Sequence, residues 1–493
     1  MEGRHTFESS LEVNAPVEKL FSWHESPGAF ERLTPSFDPV TVTKRLGNGI
    51  DGGEVHIKLP FVPFTWVAKH HSFKKNVQFM EDQISGPFVG PLPFWKGSWH
   101  HKHLFEKIDN KNSKVIDKLD YDFPMDPFGT LFGGWYTKNR LKQMFAYRRN
   151  ITENDIKAQS KYKGKKLDIA VTGASGLIGS DLCPYLTTAG HKVEKLVRRR
   201  PRKGELAWNI HKNQISSLND KDAVVHLAGE NIGSLVRWSK WKRKEILESR
   251  VRSTALLARH LASLKRPPKV LVCASAMGYY GSYGDDILTE DSENGDDYFS
   301  HVVNEWESAA QPAIDAGIRV VFLRFGIVMS PQGGALQRIL LPAKLGGNPP
   351  IGGGKQWWSW LTIDDAVGSI YHAIITEKLS GPVNVASPNT VQQKNFAKTL
   401  GKIMWGKNLG LLTNLFPLPR IVVKTVMGEM GDVLLLSSNR IDSSKLIDSG
   451  YEFRFEDLED QVVAHLIDKV EKVQTNPVDG DEVPASHFGV ILD

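Results

Sequence analysis

A glycine-spaced segment near the middle of the chain carries the clearest chemistry. It follows the apolar run 167–171 directly and consists of Thr172, Gly173, Ala174, Ser175, Gly176, Leu177, Ile178 and Gly179. Gly173 permits a tight turn out of a strand, Gly176 lets the backbone approach a pyrophosphate, and Gly179 allows a helix to pack closely on the strand. Free amides at the start of that helix would hold the phosphates. The segment therefore predicts a dinucleotide site.

The end of the next apolar run indicates which dinucleotide is bound. An NAD site usually places Asp or Glu about 20 residues after the glycine loop, where it binds the ribose 2′-hydroxyl. Here the run ends in Val197, Arg198, Arg199 and Arg200, with no acid among them. Guanidinium groups bind phosphate through paired, charge-assisted hydrogen bonds. We therefore expect NADP rather than NAD, with Arg198 as the contact to the 2′-phosphate.

Histidines are concentrated in two segments that alternate in polarity, His70-His71 and His100-His101-Lys102-His103. In a strand, His101 and His103 would share a face, and two such histidines can bind zinc. The pattern supplies no cysteine and no acidic third ligand, so we expect pocket-lining histidines and no metal site. Cys183 and Cys273 lack any Cys-x-x-Cys or Cys/His setting and are interpreted as core thiols.

The elements that must position the glycine segment alternate between short apolar runs and helix-length stretches. The runs lie at 167–172, 193–197, 223–228, 270–275, 319–325 and 381–385. Continuous apolar strands separated by helices imply a parallel sheet covered on both faces. We predict an α/β doubly wound (Rossmann) domain over 167–425, a small α-rich C-terminal cap over 426–470, and a disordered tail over 471–493.

The first 150 residues follow a different pattern, in which apolar and polar residues alternate with a period of two, as expected for antiparallel strands. A helical stretch from about Thr130 to Arg149 closes the segment. The order of antiparallel strands followed by a closing helix, together with the opening segment 7–21, resembles the START-like, polyketide-cyclase type of α+β helix-grip domain. The resemblance implies that residues 1–150 hold an apolar ligand between a curved sheet and a long helix. The lysine-rich residues 151–166 are interpreted as a linker.

Four segments of the second part resemble the extended branch of the short-chain dehydrogenase/reductase superfamily, which contains NAD-dependent epimerases and dehydratases. They are the glycine loop, 222–229, 275–281 and 360–366. Further segments, including 227–232 and 345–354, resemble an atypical subgroup of putative sugar-nucleotide epimerases with a C-terminal extension. The resemblance implies that Leu227, Ala228, Glu245 and Arg250 bind the cofactor. It also implies a small-molecule substrate, either a nucleotide-sugar or a carbonyl compound.

Active members of that superfamily use a Ser, a Tyr and a Lys four residues after the Tyr, where a shared helix face lets the Lys charge lower the pKa of the Tyr. The preferred alignment puts Phe299 and Val303 at the Tyr and Lys positions, and Tyr298 is followed four residues later by Val302. Ser275 matches the first Ser of the preceding strand, with Ala276 at the catalytic place. The usual triad is therefore predicted to be absent.

Three interpretations follow. The chain binds its cofactor without redox turnover, as a nucleotide-responsive small-molecule binding or scaffold protein. Alternatively it is an NADP-dependent epimerase or oxidoreductase whose substrate is unknown and which uses other residues, with Tyr279, Tyr280, Tyr298 and Ser275 as the candidates. In the third interpretation, the register in which this helix is aligned with the superfamily is wrong.

Composition narrows the class of protein. The chain has 493 residues, 62 Lys+Arg against 56 Asp+Glu, a net charge of +6 and two cysteines. Two cysteines exclude a disulfide scaffold and favour a reducing compartment. The mild charge and the lack of interleaved stacking aromatics argue against nucleic acid binding. No apolar run reaches the roughly 18 residues of a membrane span, and the N-terminus lacks the apolar core of a signal peptide. We therefore expect a cytoplasmic protein.

Overall fold

The computed structural model describes residues 5–35, 37–59, 63–89, 97–126, 128–233, 237–412 and 417–458. Its two main sheets divide the chain into an N-terminal unit, residues 5–160, and a second unit, residues 168–458. In these ranges no helix combines the length and hydropathy that a membrane crossing needs. The expected tail over 471–493 and the end of the expected cap, 459–470, lie outside the described residues.

The N-terminal unit is mainly an antiparallel sheet. Within the described residues seven strands pair in the order β1-β7-β6-β5-β4-β3-β2, so the first and last strands are neighbours. Its elements are β1 (His5–Val13), α1 (Val17–Glu25), α2 (Ala29–Leu33), β2 (Thr41–Asn48), β3 (Asp51–Lys58), β4 (Thr65–Lys74), β5 (Gln78–Ser85), β6 (Ser98–Lys107), β7 (Ser113–Asp122) and α3 (Phe128–Ser160). The alternation of buried and exposed residues along β6 and β7 agrees with the period of two in the sequence.

The long helix α3 corrects one expectation. It has 33 residues and continues through 151–160, so the predicted linker over 151–166 is wrong for that part. Ile151, Asp155 and Ile156 are almost fully buried on one side, whereas Lys157 is exposed. Residues 151–160 therefore form a helix with one buried side, and Lys157 is the one lysine of the expected linker that lies within it.

The second unit is a doubly wound α/β domain. Within the part that the structure describes, eight strands pair in the order β11-β10-β9-β8-β12-β13-β15-β19. Its elements up to the last of these strands are β8 (Asp168–Thr172), α4 (Leu177–Thr188), β9 (Lys192–Val197), β10 (Glu205–Asn209), β11 (Gln214–Ile215), β12 (Ala223–His226), α5 (Lys240–Ala262), β13 (Val270–Ala276), β14 (Ile287–Leu288), α6 (Tyr298–Ser308), α7 (Gln311–Asp315), β15 (Arg319–Phe325), β16 (Ile327–Ser330), α8 (Gly334–Lys344), β17 (Trp357–Trp358), β18 (Trp360–Thr362), α9 (Ile363–Ile375) and β19 (Gly381–Val385).

All six apolar runs of the sequence are strands of this sheet. They pair in parallel, and separate apolar cores cover the two faces. One core contains α4 and α9, and the other contains α5 and α7. A short 3₁₀ turn, Met277–Tyr279, follows β13.

Short elements complete the chain. They are β20 (Val391–Gln392), α10 (Gln393–Leu412), α11 (Arg420–Met427), α12 (Glu429–Gly431), a π-helical turn (Asp432–Leu436), β21 (Arg440–Ile441) and α13 (Ser444–Asp448). The helical part of the expected cap thus starts near Arg420, somewhat before residue 426. Met430 is fully buried and packs against α5 and α6, which attaches this region to the second unit.

Buried ion pairs join the two units. Arg32 of α2 donates to Asp155 of α3 and to Asp364 of α9, each at 2.8 Å. Arg454 donates to the other oxygen of Asp155 at 2.8 Å. Helix α2 also lies directly on α4, since a Cβ on Gly28 would be 2.5 Å from Pro184 Cα. The N-terminal unit is therefore packed against the helix that starts at the glycine segment.

Candidate functional site

The candidate site lies at the carboxyl ends of the parallel strands, next to β8. This strand pairs with β9 on one side and β12 on the other, so the chain order reverses here. Open α/β sheets bind ligands at such a switch point. We call the space above the ends of β8, β9 and β12 the cofactor cleft.

The glycine loop fits a backbone that approaches a ligand closely. Gly173 has φ of +66°, and a Cβ there would lie 2.6 Å from the carbonyl carbon of Leu227. A Cβ on Gly179 would lie 2.7 Å from Ala174 Cα and closer still to Gly173 O. The loop closes through Gly176 N–H, which donates to Gly173 O at 2.9 Å. Both ends of the loop therefore require glycine for steric reasons.

Helix α4 starts at this loop with its first turn open to solvent. Gly176 is its N-cap and supplies no side-chain acceptor, and both Ser175 and Gly176 are exposed. Ala174 and Ile178 instead face inward and pack against the core. The loop thus presents backbone amides and the positive end of the helix to the cleft, which is the environment a pyrophosphate needs.

The arginines at the end of β9 differ in their surroundings. All three are exposed, but Arg199 is paired with Glu205, with hydrogen bonds of 2.5 and 2.7 Å. Among the described residues Arg198 has no ion-pair partner. Arg200 likewise has no ion pair among them, but Arg198 comes directly after β9, where an NAD site would have an acid.

Arg250 lies at the opposite side of the cleft, on α5. It is 8% exposed, and its guanidinium lies about 3.3 Å from the position of a Cβ on Gly229, just after β12. Its Nη1 donates to Ile246 O, but within the described part of the chain its buried Nε has no hydrogen-bond partner. Burial lowers the pKa of Arg250 to about 10. A buried, unsatisfied N–H beside the cleft fits a polar or anionic ligand. Glu245 is half-buried one turn earlier on α5, with no ion pair to any described residue.

Of the four predicted catalytic residues, Ser275 is engaged in a structural contact. Its hydroxyl donates to Glu307 Oε1 at 2.5 Å. Glu307 also accepts two hydrogen bonds from Arg324, at 2.8 and 2.9 Å. Burial alone would lower the pKa of Arg324, but these bonds and the charge of Glu307 raise it above its usual value.

The three candidate tyrosines differ in burial and in the hydrogen bonds of their hydroxyl groups. Tyr280 is fully buried, donates to Asn384 Oδ1 at 2.7 Å, and burial raises its pKa to about 12. Tyr298 donates to the carbonyl of Arg243 at 2.6 Å, and burial raises its pKa. Tyr279 is partly exposed, and the Arg324 guanidinium carbon lies 3.5 Å from its ring centroid. Its hydroxyl has no hydrogen-bond partner among the described residues.

Helix α6 presents apolar side chains where the sequence alignment placed a Tyr and a Lys. Phe299 and Val303 are buried in one apolar cluster with Ala276 and Met430. Phe299 lies directly under the 3₁₀ turn, since a Cβ on Gly278 would be 2.5 Å from Phe299 Cε1. The observed helix starts at Tyr298, as the sequence predicts.

Sequence reasoning missed the pairing of Glu307 with Arg324. Arg324 lies inside an otherwise apolar strand, a position where a charge needs a partner, and this was the available signal. Glu307 is contributed by α6, so only the packed structure brings it to Ser275.

Comparisons with known proteins identify the family to which the second unit is similar. A model of the NAD dependent epimerase/dehydratase family matches residues 169–386, and a domain of unknown function, DUF1731, matches residues 418–462. The human epimerase family protein SDR39U1 is 35% identical over 292 residues, which are 59% of this chain and 96% of that protein. The YfhF protein of Bacillus subtilis is 34% identical and is covered to 96%.

Two solved structures are similar to this chain over different shares of its length. The nucleoside-diphosphate sugar epimerase of Corynebacterium glutamicum is 30% identical with a TM-score of 0.74, covering 93% of this chain and 90% of that one. Human SDR39U1, solved with NADPH, is 34% identical with a TM-score of 0.55, covering 60% of this chain and 97% of that one. Likeness to the first structure therefore extends into the N-terminal unit.

Proposed function

This chain belongs to the NAD dependent epimerase/dehydratase family, and from that premise we propose that it binds NADP(H) in the cofactor cleft and uses it on a small molecule. The observation that carries the proposal is the glycine loop, where any side chain at Gly173 or Gly179 would collide with the backbone. The human relative solved with NADPH supports the choice of dinucleotide.

The residues proposed to hold the cofactor surround the cleft. Amides of the glycine loop would receive the pyrophosphate, and Leu227 and Ala228 would lie beside the adenosine. Arg198 would receive the 2′-phosphate, and the unsatisfied Nε of Arg250 would donate from α5. When bound, the nicotinamide supplies hydride transfer. Glu245 remains a proposed contact of the same helix.

We propose that the chain lacks the usual Ser-Tyr-Lys triad. The support is that Phe299 and Val303 are buried in an apolar cluster and that Ser275 is held by Glu307. Of the four candidate groups, Tyr279 is partly exposed and its hydroxyl has no hydrogen-bond partner among the described residues, and the guanidinium of Arg324 lies over its ring. Tyr279 is therefore the proposed general acid.

The substrate class is proposed from a neighbour. The similar structure from Corynebacterium glutamicum is called a nucleoside-diphosphate sugar epimerase, which supports a nucleotide-sugar for this chain. A carbonyl compound is the second substrate class, since hydride transfer to a carbonyl needs the same cofactor and one acid.

A non-catalytic, nucleotide-responsive binding function is the second candidate. The apolar cluster around Phe299 favours it, because it fills the position from which a Tyr-Lys pair would act. The two functions share the cofactor cleft and differ only in turnover.

Turnover with matched variants separates them. NADPH oxidation is followed with small carbonyl compounds for the wild-type chain, Tyr279→Phe and Tyr298→Phe. With nucleotide-sugars and added NADP the epimeric product is measured instead, because epimerisation returns the hydride and consumes no NADPH. We expect activity that falls at least about 100-fold in Tyr279→Phe and little in Tyr298→Phe. NADPH binding by titration calorimetry without turnover on any substrate would favour the binding function, and failure to bind NADPH would contradict both.

For the N-terminal unit we propose the helix-grip architecture, with an apolar ligand between sheet and helix. Helix α3 runs beside β1, and its first half carries exposed apolar side chains at Phe128, Leu131, Trp135 and Tyr136. A fatty acid or polyketide-like probe is expected to raise the melting temperature, and no shift with any probe would contradict this proposal. The two free, buried cysteines support the proposed cytoplasmic compartment.

A further inference from the structure

A row of charged side chains crosses the inner face of the N-terminal sheet. It consists of His70 on β4, Glu81 on β5, His101 and His103 on β6, and Asp117 on β7. We call it the histidine–carboxylate row. It lies between two apolar clusters, one around Phe21 and Phe105 and the other around Tyr121 and Phe145.

Strand register brings these five residues together. Glu81 pairs with both His70 and His101 across the sheet, and His103 pairs with Asp117. Residues opposite each other on one face have their side chains in contact. The row is thus fixed by backbone hydrogen bonds of four adjacent strands rather than by loops.

His101 is held between two carboxylates. Its Nδ1 lies 3.1 Å from Glu81 Oε1, and its Nε2 lies 3.1 Å from Asp117 Oδ1. Ionised carboxylates only accept hydrogen bonds, so both contacts are satisfied only when a cation lies between them. Burial alone would lower the pKa of His101, but its two carboxylate partners raise it.

Two further nitrogens face carboxylate oxygens. His103 Nδ1 lies 2.6 Å from Asp117 Oδ1, without the angles of a regular hydrogen bond, and the side chain is almost fully buried. His70 Nδ1 lies 3.2 Å from the carbonyl of Gly53, which assigns the proton to that nitrogen. Its Nε2 then carries no proton and faces Glu81 Oε2 at 3.4 Å, so that two hydrogen-bond acceptors lie opposite each other.

We propose that Glu81, His101 and His103 form a binding site for a divalent transition-metal ion of the Zn²⁺ class. One ligand atom from each of these side chains lies within 4.8 Å of the others, so small rotations bring all three to an ion. Two imidazoles and one carboxylate are a ligand set that Zn²⁺ accepts. Asp117 accepts from His101 Nε2, which is the carboxylate–histidine contact that orients a metal-bound imidazole.

The charges of the neighbouring side chains and the partial exposure of Glu81 are compatible with a bound ion. The ion would be faced by the carboxylates of Glu81 and Asp117, while Arg148 of α3 is the cation on the helix side. The Glu81 side chain remains 27% exposed, which leaves a route from solvent. The site is independent of the cofactor cleft.

A second pair of histidines provides a matched control. His71 Nε2 and His100 Nδ1 lie 3.1 and 2.8 Å from Asp82 on the outer face of the same sheet, and both side chains are well exposed. Metal captured by this surface set would mimic the proposed site in a bulk analysis.

The test uses the full chain without a histidine tag, stripped with a chelator and titrated with CoCl₂ and with ZnSO₄. We expect one ion per chain and a Co²⁺ visible spectrum, both unchanged in His100→Gln. Binding should weaken at least about 100-fold in His103→Gln and in the milder Glu81→Gln. NADPH binding and circular dichroism report folding of each variant.

Two outcomes overturn the proposal. One is a stripped wild-type chain that binds neither ion. The other is binding that survives Glu81→Gln in a folded chain, or is lost in His100→Gln, which would assign the ion to the surface set.

Discussion

In the parallel sheet of the second unit, the central strands bury apolar side chains such as Val171, Val225 and Val272, and polar chemistry collects beyond the strand ends. In the antiparallel sheet of the N-terminal unit, Glu81 and His101 occupy the middle of one face. A parallel strand covered on both faces has no solvent side for polar groups, whereas an antiparallel strand alternates its faces and can place a charged row inside.

Buried histidines show the same contrast. His226 at the end of β12 lies between Thr172 Oγ1 at 2.7 Å and Thr254 Oγ1 at 3.0 Å, and burial lowers its pKa to about 3. It is neutral in the folded chain. His101 has two carboxylate partners instead, which raise its pKa despite its burial. The neighbours, rather than burial itself, decide the charge.

The largest effect should come from His101→Leu. The substitution leaves Glu81 and Asp117 buried without their cation, and we expect a loss of about 3–5 kcal/mol of stability. Urea unfolding measures it, with His100→Leu on the outer face as the control, expected within about 0.5 kcal/mol. A loss below about 1 kcal/mol for His101→Leu would mean that the row is not charged.

Gly179→Val tests the glycine loop of the second unit. The added side chain would meet Ala174 Cα and Gly173 O, so we expect NADPH affinity to fall at least about 100-fold, which is about 3 kcal/mol. Titration calorimetry measures this. Gly190→Ala serves as the control, because it has φ of +89° but open space around it. Equal loss in both variants would attribute the effect to general strain.

Acidification should distinguish the two kinds of histidine. His226 titrates near 6.5 when unfolded and near 3 when folded, so the unfolded chain binds more protons below pH 6.5 and stability falls as pH falls. Between pH 7 and pH 5 this amounts to about 2 kcal/mol. His101, with its raised pKa, contributes fully below pH 6.5 and loses its contribution as pH rises through its folded value.

Urea midpoints at pH 7 and pH 5 for the wild-type chain and His226→Gln check this. The variant should lose less stability on acidification than the wild-type chain. Identical pH dependence would show that His226 is already protonated in the fold.

The smallest effect is expected at the edge of the cleft. Arg198→Ala should weaken NADPH binding about tenfold, or about 1.4 kcal/mol, and leave NADH binding unchanged. Arg200→Ala, on the neighbouring exposed arginine, is the matched control. Equal weakening for NADPH and NADH would remove Arg198 from 2′-phosphate recognition.

The two regions also differ in how far sequence predicts them. The strands and glycine loop of the second unit could be read directly, because local spacing specifies a strand, a turn and a helix. In the N-terminal unit the shared face of His101 and His103 followed from alternation. The positions of Glu81 and Asp117 beside these histidines could not be predicted in this way. Cross-strand partners depend on register, which a single sequence does not fix. The linker was misjudged for a related reason, since lysines indicate exposure to solvent, whereas the burial of Asp155 on α3 depends on packing against other elements.

The ion pairs of Arg32 and Arg454 with Asp155 have a consequence for exchanging parts between proteins. Human SDR39U1 is matched over nearly its whole length by 59% of this chain, so relatives of its size lack a counterpart for much of the N-terminal unit. Arg454 and Asp364 in this chain are buried and form ion pairs with Asp155 of α3 and Arg32 of α2. A chimera that joined this second unit to a foreign N-terminal unit would bury both charges against a surface that lacks Arg32 and Asp155. The two halves are therefore interchangeable between homologues only when all four residues are transferred together.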